Sequence, residues 1–447
     1  MNNFVFSKSF NINILFVFIF SILLGLCVAI NNYVFLSVLL LPFLLIFALS
    51  INYIYLLAIY ICTLPLDFIV VLEPIGSLSK ILSFLSMISL LAHGLYKKKL
   101  LAPNKLFFPI MLMVIFSLFS LDWSVDKSET ITRISTLIPL FCFYSLTSIF
   151  KFSEKDLSII NKSLILSLTL VIFISLIQYF LGIRFMETGR LTIALLDKQA
   201  DPNHLLVSMV LPLGALIMFM DSKETSQKNK IIGILLLLFA VILVLSGSRG
   251  ALLSAIFVFL YWFIKDGLKL KKLLVLLFLA ALLVIVYYFL PSSLLERYSV
   301  NNVMEYGGTG RLDIWRVGFN AFLHSIYIGY GFGTFSDVYD MYVGKTYIDA
   351  FWGYSKASHN TFLRMAVELG IIGLFLFLWI IVQHINLRKV DYYKNNSVNQ
   401  SRHIANMGII GIIIGCLSLD VILFKYFWLT IQYSSIVYNL MNRKEEN

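Results

Sequence analysis

Charged residues are scarce in this sequence, and that scarcity limits what the chain can be. Only 13% of its 447 residues are charged, against 60% that are hydrophobic, and the mean hydropathy is +0.89. A water-soluble fold cannot bury that much apolar surface, so lipid must be the solvent for most of the chain. The composition excludes a soluble protein and predicts an integral membrane protein.

Metal-binding patterns are also lacking. No pair of histidines or cysteines has the spacing of metal ligands. The cysteines lie singly in four separate apolar runs, where they are small apolar fillers. We therefore expect neither a metal site nor any other cofactor. The four cysteines are Cys27, Cys62, Cys142 and Cys416.

Long apolar runs recur along the whole chain. We count about fourteen of them, and twelve to fourteen is the range that the pattern allows. Backbone groups in lipid must be satisfied locally, and the runs are too long and uniformly apolar for barrel strands. The predicted fold is an all-α polytopic membrane protein with about 12–14 transmembrane helices, forming a single domain over residues 1–447. The runs are 12–30, 33–50, 52–72, 81–96, 106–121, 131–150, 158–182, 203–220, 231–246, 249–264, 272–290, 362–384, 405–424 and 426–441.

The basic residues predict how these helices are oriented. More than half of the 35 lysines and arginines fall in alternate short connections, such as Lys97–Lys99. Short basic connections stay in the cytoplasm. This orientation places both termini in the cytoplasm and one large polar loop, residues 291–361, on the opposite side. The net charge of +11 is thus a signal of topology, and we do not expect nucleic-acid binding.

A break between two apolar runs contains Arg249. The sequence Ser246-Gly247-Ser248-Arg249-Gly250 is rich in small residues, which permit a tight turn between two helices. Arg249 is then expected at the outer membrane boundary. Two interpretations remain open: the guanidinium reaches to the interface as an anchor, or it holds a diphosphate, whose oxygens match its planar fork.

A second arginine group lies in the outer loop. Arg311 and Trp315 are four residues apart and share a face if this segment is helical. The glycines before Arg311 suit a loop that enters a helix, and the first amides of that helix can assist an anion. Arg316 follows directly. The alternative is that both arginines are solvated loop residues.

The outer loop ends at a histidine. Ser358-His359-Asn360 precedes an apolar run that contains Arg364 and Glu368, and positions 360, 364 and 368 align along one helical face. A histidine titrates in a range suited to accepting a proton from a hydroxyl group. A lone histidine at a membrane boundary can equally be inert.

Further polar candidates are expected at the outer face. Arg190 precedes Asp201-Pro202-Asn203-His204, which enters another apolar run, and Asp122-Trp123-Ser124 lies near an outer turn. The cases for His204 and His324 are weaker than the case for His359.

Together these blocks resemble the O-antigen ligase and polymerase family of bacterial envelope enzymes. The resemblance is strongest from about 200 to 375, and outside that window only hydropathy agrees. One departure is His324-Ser325, where the family often has His-Pro. The blocks are Asp122-Trp123-Ser124, Asp201-Pro202-Asn203, SGSRGALL at 246–253, GRLDIW at 310–315, GYGFGTF at 329–335, and SHNTFL at 358–363 followed by Glu368-Leu369-Gly370.

The resemblance implies a GT-C-like membrane glycosyltransferase of the bacterial inner membrane. Such enzymes take a glycan from an undecaprenyl-diphosphate carrier and transfer it to an acceptor hydroxyl. The resemblance implies that Arg249 and Arg311 hold the diphosphate and that His359 assists the hydroxyl, as the catalytic residues. Substrate-binding contacts are expected from Arg190, Asn203, Trp315, Arg316, Asn360, Arg364 and Glu368.

The expected partners are the lipid-linked oligosaccharide, an acceptor glycan or glycolipid, the bilayer and a chain-length regulator. The acceptor decides between a polymerase and a ligase that modifies lipid A-core. We favour a polymerase, because many family members build exopolysaccharides or capsules and no lipopolysaccharide acceptor site is recognisable. A flippase for the lipid-linked oligosaccharide is less favoured, since transporters tend to place charges near mid-membrane in related halves. A non-enzymatic envelope scaffold is the remaining alternative.

Overall fold

A computed structural model describes residues 49–67, 69–72, 76–183, 189–195, 198–221, 226–265, 267, 288, 295, 310–385 and 396–442. Helices dominate this part of the chain. We number them α1 (Tyr53–Thr63), α2 (Leu78–Tyr96), α3 (Phe107–Phe119), α4 (Lys127–Ile149), α5 (Glu154–Phe180), α6 (Pro202–Val207), α7 (Val210–Asp221), α8 (Ser226–Leu245), α9 (Arg249–Lys265), α10 (Arg311–His324), α11 (Phe335–Val343), α12 (Thr361–Ile385), α13 (Asn396–Cys416) and α14 (Lys425–Asn442).

The described strands form two short antiparallel hairpins. Strand β1 (Val71–Leu72) pairs with β2 (Gly76–Ser77), with Val71 opposite Ser77. Strand β3 (Ala194–Leu195) pairs with β4 (Lys198–Gln199), with Ala194 opposite Gln199. Each hairpin connects helices and adds no sheet to the core.

Four of the described helical segments are long and apolar enough to cross a membrane. They are Leu78–Tyr96, Glu154–Phe180, Pro202–Asp221 and Thr361–Ile385, and three shorter apolar helices accompany them. The prediction of an all-α polytopic membrane protein is confirmed. The predicted run 12–30, and nearly all of 33–50 and 272–290, lie outside the described residues, so the count of twelve to fourteen spans stays a prediction.

Local sequence explains where several of these helices begin. Helix α5 starts with a capping box: the Ser153 side chain accepts from the Asp156 N–H, and the Asp156 carboxylate accepts from the Ser153 N–H at 2.8 Å. Helix α4 starts after Asp126, whose carboxylate accepts from the Glu129 N–H at 2.9 Å. Both caps satisfy amide groups that a helix cannot satisfy itself.

Helix α13 lies at the centre of the bundle and packs on α7, α9 and α14. Its glycines permit this close packing. A Cβ atom at Gly411 would lie 2.0 Å from Cγ1 of Val210, and one at Gly415 would lie 2.8 Å from Cγ1 of Val207. In lipid, helices associate through van der Waals contact, and small residues let two backbones approach. The same end of α13 leads into the turn that carries the candidate site.

Helix α12 is interrupted at Gly370, which has φ 64° and ψ −161°. Residues with a Cβ rarely adopt this conformation. The interruption frees backbone groups for the loop before α11, because the Gly331 N–H donates to the Glu368 carbonyl at 2.8 Å and the Ile371 N–H donates to the Ile326 carbonyl at 2.7 Å. The segment around residues 326–331 is therefore joined to α12 by main-chain hydrogen bonds.

Candidate functional site

The candidate site lies where several elements begin, at one end of the bundle. Helices α6, α9, α10 and α12 contribute their first residues, and the turn between α13 and α14 packs among them. Most of the residues singled out from the sequence fall on these five segments. Long-range contacts between the segments, described below, bring them together.

Asp420, in the turn between α13 and α14, holds the histidine loop in place. Its carboxylate accepts hydrogen bonds from the Ser358 hydroxyl and from the His359 N–H, the latter at 3.3 Å. Next to this contact, the Thr361 hydroxyl donates to the Leu419 carbonyl at 2.6 Å. Asp420 is only 8% exposed. Sequence reasoning missed this residue, although a carboxylate inside the predicted run 405–424 was a signal, because charges in membrane segments tend to be functional.

His359 has an unusual backbone and an available side chain. Its φ is +49°, a left-handed conformation that costs a residue with a Cβ about 1–2 kcal/mol. The side chain is half-buried, and its ring nitrogens make no hydrogen bond within the described residues. Burial lowers the pKa of His359 below its ordinary value, and the positive charge of Arg311 lowers it further, while Asp420 and Asp201 act in the opposite direction. The imidazole is therefore held in the neutral form that can accept a proton.

Arg311 is the first residue of α10, as the sequence predicted. The helix is entered through Gly310 at φ +80°, where a Cβ would lie 2.5 Å from the Trp352 ring. Trp315, one turn into the helix, donates its indole N–H to the Ser358 carbonyl at 2.9 Å. This bond ties α10 to the histidine loop and explains why Arg311 affects the pKa of His359.

Arg316 belongs to a different group of contacts. Its guanidinium pairs with Asp313 at 3.3 Å and with Asp349, and the arginine side chain is largely exposed. Asp313 also accepts from the Trp352 indole at 3.0 Å. These contacts hold the segment around Asp349 and Trp352 on α10, on a face separate from Arg311.

Arg249 is the first residue of α9, directly after the predicted turn. The Ser246 hydroxyl accepts from the Ser248 N–H at 3.2 Å within that turn. A Cβ at Gly250 would lie 2.1 Å from the Ser418 hydroxyl, so the start of α9 packs on the chain two residues before Asp420. Arg249 is half-buried and has no hydrogen bond or ion pair to any residue that the structure describes. Its guanidinium can accommodate an anionic ligand.

Arg190 and Asn203 are used in internal contacts. Arg190 is 4% exposed and donates from Nε to the Ser246 carbonyl at 2.5 Å and from Nη2 to the Asn203 side chain at 2.8 Å. Asp201 caps α6, accepting from the Asn203 N–H at 2.6 Å and the His204 N–H at 3.3 Å. Arg190 thus connects the start of α6 with the turn before Arg249.

His204 lies closer to the site than its weak sequence signal indicated. Its Nδ1 is 3.0 Å from the Tyr426 hydroxyl, and its ring stacks on Phe424 with 4.0 Å between centroids. The charge of Arg311 acts on His204 as it does on His359, which places both imidazoles in one electrostatic neighbourhood. The two histidines are 155 positions apart, and the sequence did not predict that they lie close together.

Arg364 and Glu368 form a buried pair deeper in α12. Arg364 Nε donates to Glu368 Oε1 at 2.8 Å. The same carboxylate accepts the N–H groups of Gly333 at 2.8 Å and Phe335 at 3.2 Å. Glu368 is fully buried, and Asn360 accepts from the first amides of α12 as its cap. These contacts fix the loop around Gly333 on α12, the helix that begins at the candidate site.

Two motif blocks distant in sequence pack against each other here. Trp123 donates its indole N–H to the Ile328 carbonyl at 3.2 Å, and the Val125 N–H donates to the Tyr330 carbonyl at 3.0 Å. The Ser120 hydroxyl accepts from the Phe332 N–H at 3.0 Å. The segment around Trp123 therefore forms part of the frame that holds residues 328–333 in place.

Part of this chain matches a known protein family. Residues 234–378 match a family model described as O-antigen ligase, a stretch that begins in α8 and ends in α12. It includes Arg249, Arg311 and His359. No curated protein was found to match the chain. The resemblance carried by the motifs is confirmed, because residues 234–378 of this membrane protein match the model of the O-antigen ligase family.

Proposed function

We propose that this protein is a glycosyltransferase that takes a glycan from an undecaprenyl-diphosphate carrier and transfers it to a sugar hydroxyl on the outer side of the bacterial inner membrane. The observation that carries the proposal is the half-buried His359, whose ring nitrogens make no hydrogen bond to the described residues and whose pKa is lowered by burial and by the charge of Arg311. A proton acceptor next to a cationic group is what transfer from a diphosphate requires. The family of residues 234–378 supports the same class of reaction.

The arginines serve the leaving group. The bond between the anomeric carbon and the phosphate oxygen breaks, and its electron pair stays on the diphosphate. Arg311 and Arg249 neutralise the charge that develops there, which is the role that fixed cationic groups play most effectively in a site of low dielectric. The planar guanidinium fork matches two phosphate oxygens at once.

His359 serves the acceptor. As the acceptor oxygen forms its bond to the anomeric carbon, its proton passes to the neutral imidazole. Arg311 contributes twice, because its positive charge binds the diphosphate and keeps the imidazole neutral before transfer. Asp420 positions the histidine through the two hydrogen bonds to Ser358 and the His359 amide.

We propose polymerase rather than ligase activity, with a second carrier-linked repeat unit as the acceptor. The ligase alternative transfers the same glycan to lipid A-core, and both use the same donor chemistry. The product separates them, since a polymerase lengthens the carrier-linked glycan and a ligase moves it to another lipid.

The test is transfer by purified protein in nanodiscs, with lipid-linked oligosaccharide isolated from the producing cells. His359→Ala should lower the rate by about 10²–10⁴, the usual contribution of a general base. The control is His324→Ala, because His324 is exposed at the far end of α10 and its ring contacts the Asn320 carbonyl. Near-normal transfer by His359→Ala refutes the assigned role. Movement of intact lipid across the membrane without a new glycan bond identifies a flippase instead.

A further inference from the structure

A cavity with both polar and apolar walls lies beside the candidate site. Its volume is about 280 Å³, near the lower end of small-molecule sites at roughly 300 Å³. It is enclosed by the end of α1, by α2 and α4, and by the start of α14. Its lining residues include Asp67, Lys80, Ser83, Ser135, Thr136 and Lys425.

Only one of the two lysines that line this cavity is paired with other residues in the part of the protein that the structure describes. Lys425 pairs with Asp67 at 2.7 Å and donates to the hydroxyls of Ser77 at 3.0 Å and Ser79 at 2.7 Å. Three acceptors satisfy the three protons of that ammonium group. Lys80, in contrast, is exposed and makes no ion pair with the described residues. One positive charge therefore remains available to a ligand.

The walls combine hydroxyl groups with aromatic faces. The Ser83 hydroxyl donates to the Lys80 carbonyl at 2.8 Å, and those of Ser135 and Thr136 donate to the Thr132 carbonyl at 2.7 and 3.3 Å. Each hydroxyl oxygen keeps lone pairs that can accept from a ligand. The rings of Tyr60, Phe143 and Phe424 form part of the remaining wall, and the rest of it is aliphatic, from Pro139, Leu140 and Leu423. Aromatic faces beside hydroxyl acceptors suit a sugar, which has apolar C–H faces and several O–H donors.

One aromatic ring separates this cavity from the candidate site. Phe424 lines the cavity and stacks on His204, with 4.0 Å between the ring centroids. Lys80 on α2 and both Ser135 and Thr136 on α4 are exposed, so the cavity opens between these two helices at the side of the bundle.

We infer that this cavity, between α2, α4 and the Asp67–Lys425 pair, is a sugar subsite for the acceptor and accepts a sugar unit with an acidic substituent. The hydroxyls of Ser135 and Thr136 bind the sugar hydroxyls, and Lys80 pairs with the acidic group. The assignment to the acceptor rests on the proposed function. Sugar binding itself can be measured without any transfer.

The first experiment measures binding by protection. Ser135→Cys is introduced after the four native cysteines are changed to alanine, and its alkylation by N-ethylmaleimide is followed in nanodiscs. Lipid carrying a single repeat unit should slow alkylation, while sugar-free undecaprenyl diphosphate should not. Adding Lys80→Met should weaken the protection. Equal protection by the sugar-free lipid shows a lipid pocket and overturns the inference, and so does a lack of protection by either lipid.

The second experiment measures transfer, with pre-extended carrier lipid as saturating donor and single-repeat lipid as the varied acceptor. Thr136→Val should raise the acceptor KM about threefold to tenfold, the effect of losing one hydrogen bond, and leave kcat unchanged. Thr132→Val is the matched control, because that hydroxyl lies one turn earlier on α4, donates to its own helix at Ser128 and does not line the cavity. A fall in kcat with unchanged KM contradicts the subsite. If the parent protein transfers nothing, the proposed function fails while the protection experiment still tests sugar binding.

Discussion

Two groups of ionisable residues lie beside the start of α12, and they differ in burial and in the contacts that they make. The deeper group is the Arg364–Glu368 pair, in which Glu368 is fully buried and accepts two backbone N–H groups in addition to the arginine. The outer group contains His359 and Arg311, which are half-buried at the ends of two segments. The His359 ring nitrogens lack hydrogen bonds to the described residues.

This difference in burial and hydrogen bonding distinguishes ionisable groups with a structural role from ionisable groups suited to ligand binding. Ionisable groups in a membrane protein are costly, and a group that the protein satisfies completely has a positioning role in the native fold. A group that is half-buried and keeps its hydrogen-bonding capacity is suited to a ligand. By this criterion His359 and Arg249 are suited to a ligand, whereas Arg190 belongs with the deeper group because two acceptors already hold its guanidinium.

The largest expected effect is on stability, from Glu368→Gln. This change keeps the shape and one acceptor oxygen but leaves the Arg364 charge buried without its partner, which typically costs about 3–5 kcal/mol. We expect a marked fall in the melting temperature of the purified protein in detergent.

Glu129→Gln is the matched control for that substitution. Glu129 also pairs with an arginine one turn away, Arg133, but on an exposed part of α4. Such surface pairs contribute about 0–1 kcal/mol, so the melting temperature should hardly change. Equal melting temperatures for Glu368→Gln and the parent protein would contradict a structural role for the Arg364–Glu368 pair.

The next largest effect is on the transfer rate, from Arg249→Ala and from Arg311→Ala. Loss of a cationic donor at the developing charge costs about 2.7–4 kcal/mol, or roughly 10²–10³ in rate, while the melting temperature stays close to that of the parent. Replacement by lysine should also lower the rate, because an ammonium group lacks the fork that matches two phosphate oxygens. Lys345→Ala removes a positive charge from the exposed surface of the same loop segment and serves as the control. Full activity of Arg249→Ala returns Arg249 to the interpretation of an interfacial anchor.

The sequence predicted the parts of this site that depend on local pattern. Small residues before Arg249 indicated the turn, glycine before Arg311 indicated a helix start, and Asp201-Pro202-Asn203-His204 indicated the entry to another apolar run. Each depends on neighbours within a few positions, so periodicity and capping rules apply. The all-α membrane fold followed from composition for the same reason, because it is a property of uniformly apolar runs.

Contacts between segments that are distant in the chain could not be predicted from the sequence. Asp420 is 61 positions from His359 and Arg190 is 56 positions from Ser246, yet each pair is hydrogen-bonded. Expected substrate ligands such as Arg190 and Glu368 proved to have internal partners, since the same charge and spacing suit either role. Only the packing of helices decides which partner a charged side chain meets, and a single sequence does not contain that information in a readable form.

The smallest effect is a displacement of the pH profile of transfer. The direction of that displacement tests the role assigned to His359. His359 is proposed to act in its neutral form, so kcat/KM should fall on the acid side as pH drops through its pKa. Arg311 lowers that pKa and Asp420 raises it. Arg311→Gln should therefore move the acid limb to higher pH, and Asp420→Asn, which keeps an acceptor oxygen, should move it to lower pH.

Both variants are also slower at every pH, so the position of the limb is compared after each profile is scaled to its own maximum. The residual activity of His359→Ala should lack the limb. Shifts in the same direction for Arg311→Gln and Asp420→Asn would mean that the limb reports another group, and acceptor activation would then have to be assigned to a residue other than His359.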